Sequence, residues 1–62
     1  PETRLTYKRL REMGYNPLET KKYLASCLFS ELFNMTQENR EFDYNRYKRL
    51  LNNLPKLPEE ND

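Results

Sequence analysis

A chain of 62 residues holds one small domain at most. Eleven Lys and Arg stand against ten Asp and Glu, and a net charge of +1 singles out neither a strongly acidic nor a strongly basic partner. With no histidine and a single cysteine, the chain lacks the material for a zinc site, a Cys–His dyad, a Ser–His–Asp triad or an intrachain disulfide.

Valine, isoleucine and tryptophan are absent, and the only β-branched residues are Thr3, Thr6, Thr20 and Thr36. Sheets are built largely from β-branched and aromatic residues, whereas the Leu, Glu, Lys and Arg that dominate here favour helix. The expected fold is therefore all-α: a compact three-helix domain over residues 1–58, with a long central helix packed by two shorter ones. Residues 59–62 are expected to form an acidic, disordered tail.

The first helix is predicted from about Thr3 to Met13. Thr6, Tyr7, Leu10 and Met13 share one arc at 3.6-residue spacing, and Arg4, Lys8 and Arg11 share another. Gly14 supplies a left-handed stop, with Tyr15 folding back towards Leu10 as in a Schellman cap.

The second helix has the strongest start signal. Asn16 is a preferred cap, Pro17 at the first helical position loses an amide that had no partner, and Glu19 completes a capping box. Nothing breaks the pattern before Met35, which predicts a rod of about 19–22 residues. Leu18, Leu24, Ala25, Leu28, Phe29, Leu32, Phe33 and Met35 spread over about half its circumference. The expectation is that the flanking helices clamp this arc. Thr36 to Glu41 carries no apolar residue and is read as the main loop, with Asn39 in the left-handed position that ends the helix.

Asp43 is the predicted cap of the third helix, Tyr44 to Asn53. Phe42 before the cap and Tyr47 after it match a hydrophobic staple. Tyr47, Leu50, Leu51 and Leu54 give an apolar stripe, and Pro55 forces Leu54 out of the helical region.

Two local resemblances follow from these signals. Leu10-Arg11-Glu12-Met13-Gly14-Tyr15, followed by a capped helix, resembles the Met-Gly-Phe/Tyr loop of ubiquitin-associated domains. That resemblance covers six residues and implies a partner surface on Met13, Gly14, Tyr15 and the end of the third helix near Leu50 and Leu51. The second helix is about twice the family's length. The Gly14 turn with Asn16 opening the next helix is also similar to a helix-turn-helix corner, although a recognition helix keeps one face free for the groove and this one is apolar over half its surface.

For function, the pattern favours a small protein–protein interaction or oligomerisation module of regulatory or adaptor type, without catalytic activity. Across the helix from the apolar arc, Cys27 lies beside Tyr23, Ser26, Ser30 and Asn34 and is expected to be half-exposed. Ser26, Cys27 and Ser30 form a stripe of small residues that lets a protein partner or a second copy approach closely, and Tyr23 and Asn34 complete the candidate interface. Tyr47, Phe29 and Phe33 are assigned to the core, with Tyr7, Tyr23 and Tyr44 as candidates for contact. The alternative is a nucleic-acid binder using Arg4, Lys8, Arg11, Arg46, Lys48 and Arg49. Glu31 is read as a solvated charge on the polar side of the second helix. No cofactor, metal or membrane association is expected, and a lone thiol suits a reducing, cytoplasmic setting.

Overall fold

Three helices, the second and third of them opened by side-chain caps, make up the fold, and a computed structural model describes residues 1–58. Helix α1 spans Glu2–Glu12, α2 Pro17–Glu38 and α3 Tyr44–Asn53; among the described residues there is no strand. The 59–62 tail lies outside the described residues.

Gly14 adopts φ +106° and ends α1. The amide of Tyr15 donates to the Leu10 carbonyl at 3.2 Å and that of Gly14 to Arg11 at 3.1 Å, the two bonds of a Schellman motif. At the start of α2, Glu19 N donates to Asn16 Oδ1 at 2.8 Å and Asn16 N donates to Glu19 Oε1 at 3.1 Å. This capping box satisfies two donors that the helix itself leaves without partners. Helix α2 runs three residues past Met35, so Thr36, Gln37 and Glu38 are helical rather than loop, and Asn39 ends it at φ 50°, ψ 52°. Asp43 accepts from Arg46 N at 3.0 Å to cap α3, while the Phe42 and Tyr47 rings meet edge-on at 5.6 Å as the staple.

At about 1.5 Å per residue, the 22 residues of α2 account for most of the long axis of a body 37 × 22 × 17 Å. Both other helices pack on α2. Their own contacts show that α1 and α3 run parallel. Near their starts Thr3 Oγ1 lies 3.1 Å from Tyr47 Oη, and near their ends Arg9 reaches the last turn of α3.

The core is Leu10 from α1, Tyr47, Leu50 and Leu51 from α3, Leu54 at its end, and Cys27 from α2. Helix α2 therefore turns inward through Thr20, Cys27 and Glu31, not through its apolar arc. Only Leu24 and Met35 of that arc are partly buried. Leu18, Leu28, Phe29, Leu32 and Phe33 are exposed, so Phe29 and Phe33 are not core residues. Periodicity shows where a helix is oily but not which way it is rotated against its neighbours. Here rotation is set by two small inner residues, which allow close approach, and by the anchor that Glu31 provides.

Candidate functional site

The stripe expected to meet a partner is folded against the rest of the chain. Cys27 is fully buried rather than half-exposed, and Tyr23, Ser26, Ser30 and Asn34 are half-buried around it. Tyr23 packs edge-on against Tyr15 at 5.1 Å, and Ser26 Oγ donates to the Lys22 carbonyl at 3.0 Å. Burial pushes the Cys27 thiol up to about 11, which leaves it without the thiolate that reactivity requires. Small residues do permit close helix approach here, but the approaching helices belong to the same chain.

Glu31 is not a solvated charge. Its carboxylate is fully buried and accepts from three directions: Arg40 Nη1 at 2.7 Å, Asp43 N at 2.7 Å and Arg46 Nη1 at 3.2 Å. The Arg40 guanidinium, more than Asp43 and Arg46, holds the Glu31 carboxyl well below the usual range, at about 2, against the opposing pull of burial. The Arg40 guanidinium is held correspondingly high, chiefly by Glu31. A buried charge persists only when paired and hydrogen-bonded, and both conditions hold. The cluster ties the middle of α2 to the connecting segment and to the first turn of α3. Arg9 is a second anchor that the sequence does not advertise. Its guanidinium donates to Leu51 O at 2.8 Å and Leu54 O at 2.9 Å. Helix α3 has no basic residue in its own last turn, and Arg9 supplies that charge from α1.

The basic residues do not act as one set. Arg46 is engaged with Glu31, and Lys48 lies over the Tyr44 ring at 5.4 Å. Arg4, Lys8 and Arg11 are exposed on the back of α1, where Arg11 reaches Tyr7 Oη at 3.5 Å, and Arg49 is exposed on α3. The surface implied by the ubiquitin-associated resemblance is likewise incomplete: Met13 and Gly14 are exposed, but Leu50 and Leu51 are core.

What remains open is the outer face of α2. Leu18, Leu28, Phe29, Leu32 and Phe33 are 42–73% exposed, and exposed Ala25 lies among them. Positions 18, 25 and 32 recur every seven residues, and 25, 29 and 33, like 28 and 32, every four, so the six form a stripe about half a turn round from Thr20, Cys27 and Glu31. At roughly 200 Å² for a phenylalanine and a little less for a leucine, the five large side chains expose about 500 Å². That approaches the upper end of the largest apolar patch on a typical monomer, about 300–600 Å². Lys21 and Lys22 flank the stripe on its N-terminal half.

Other features are modest. An open groove of about 380 Å³ is lined by Glu19, Lys22, Tyr23, Ser26 and Leu57. Among the described residues, no group of three or more His, Cys, Asp or Glu could hold a metal ion, and no helix is long and apolar enough to cross a membrane. Comparison with family models, with curated proteins and with solved structures finds no match.

Proposed function

We propose that this chain is a protein–protein interaction module whose working surface is the outer face of α2. One observation carries the reading: the oiliest stripe of the sequence faces water while a polar stripe of the same helix, with a buried carboxylate, faces the core. The largest exposed apolar patch of a protein is often a functional one, and this one exceeds the roughly 400 Å² above which an uncovered patch favours association. The five large side chains expose the equivalent of nearly three whole ones, and covering them releases about 6 kcal/mol at about 2 kcal/mol for a fully buried Leu or Phe. Catalysis has no part in the reading, because the thiol is buried and, among the described residues, the one strongly perturbed carboxyl is tied to two arginines. A free cysteine suits a reducing compartment, and the module is accordingly assigned to the cytoplasm.

Photocrosslinking tests the surface. A benzophenone-bearing phenylalanine analogue is placed at Phe29, or at Arg49 as a control, in the protein expressed in its native cell. Position 29 is expected to give discrete protein adducts that Leu32→Glu abolishes. Equal labelling from both positions, or no discrete adduct from position 29, refutes the reading.

A further inference from the structure

The residues of the α2 stripe have an order as well as a composition. Ala25 and Phe33 lie four positions to either side of Phe29, and Lys22 and Thr36 lie seven to either side. At 1.5 Å per residue those offsets are about 6 Å and 10 Å along the helix. From this order we propose that the surface is covered by a second copy of this chain, with the two α2 helices antiparallel across a two-fold axis at Phe29. The proposal rests on the reading of this face as a docking surface and names its occupant.

Symmetry, charge and area all favour a second copy. A two-fold axis brings each residue on one side of Phe29 against the residue equally far on the other side. The small Ala25 then faces the large Phe33, twice over, and Phe29 stacks on its own copy, so large and small alternate as a packed interface requires.

Charge gives the direction. Lys21 and Lys22 sit on the N-terminal half of the stripe, and no charged residue interrupts the outer face from Leu32 to Thr36. The last turn of α2, the negative end of its dipole, has no basic residue of its own, and Arg40 just beyond it is committed to Glu31 and Glu38. Antiparallel pairing sets Lys22 beside the partner's Thr36 and close to that end. Parallel pairing would stack Lys21 and Lys22 on their own copies.

Area gives the scale. Leu18 falls opposite position 40, beyond the end of α2, so Leu28, Phe29, Leu32 and Phe33 give about 400 Å² from each copy, or about 800 Å² before the stems of Lys21 and Lys22 are counted. That is the extent of a weak association rather than of a permanent one.

Sedimentation equilibrium of the whole chain, combined with cysteine pairing in a Cys27→Ala background, tests this. A dimer is expected, with association weakened at least about 30-fold by Leu32→Glu while the helical circular dichroism of the monomer is retained. Phe29→Cys should form a symmetric disulfide, and a mixture of Ala25→Cys and Phe33→Cys should link to each other in preference to themselves. A chain that stays monomeric at ~1 mM overturns the second copy. Preferential linking of Ala25→Cys to itself overturns the antiparallel order. A monomer whose position 29 still gives a discrete adduct with a different protein removes this proposal and leaves the docking face standing. A monomer with no adduct removes both.

Discussion

Replacing Glu31 by glutamine keeps the shape and one acceptor oxygen but removes the charge that Arg40 and Arg46 share. The carboxyl is moved from an ordinary 4.5 to about 2, which corresponds to about 3 kcal/mol of folding stability. Breaking a buried ion pair from one side typically costs about 3–5 kcal/mol. Arg40 and Arg46 are each about a quarter exposed or less, so they recover some hydration when the acid is gone. Glu31→Gln should therefore fall at or just below the low end of that range, at about 2–3 kcal/mol. A chain of this length has about 3–9 kcal/mol in total, and each kcal/mol moves the melting temperature of such a domain by about 4–8 °C. The assay is urea and thermal unfolding followed by circular dichroism at pH 7 and at pH 3. Because the folded pKa is depressed, the contribution is fully present above about pH 5 and is lost as pH falls towards 2. The parent should lose stability across that window, and the variant should lose much less. A Glu31→Gln protein within about 0.5 kcal/mol of the parent, with the same acid profile, would refute the anchoring role.

Two further outcomes follow from the same packing. Arg9→Met keeps most of the apolar stem but removes both charge-assisted bonds to the end of α3, and should cost about 1.5–3 kcal/mol. Hydrogen exchange should then quicken first in the last turn of α3, and uniform loss of protection would count against a local cap. With its thiol pushed up to about 11, Cys27 is only about one part in a thousand ionised at pH 8. An aromatic disulfide reagent should modify it only as fast as the domain opens, and at once in strong denaturant. Prompt modification of the native protein would show that the core around Cys27 is not closed.

The anchors also explain how a domain with little apolar surface on the inner side of its longest helix holds together. Glu31 fixes where the connection and α3 begin, Arg9 fixes where α3 ends, and Leu10, Leu50, Leu51 and Leu54 fill the space between. With orientation held in this way, the oily side of α2 is left available to another molecule.

Most of the helix ends were legible in the residues themselves, the uncapped start of α1 and the last turn of α2 excepted. The Asn16–Glu19 capping box, the left-handed Gly14 and Asn39, and the Asp43 cap with its Phe42–Tyr47 staple all act within a few residues along the backbone, so neighbouring side chains decide them. The inward stripe of α3 was legible too, because a short helix with one apolar stripe has one way to bury it. The rotation of α2 was not. Its oily arc and its polar stripe both follow helical periodicity, and the choice between them falls to Glu31, which meets partners 9, 12 and 15 positions further along the chain. Local spacing sets the caps, whereas a charge that must be satisfied inside the protein finds its partners only once the chain has folded, and that is why the tertiary structure alone decided which face of α2 meets water.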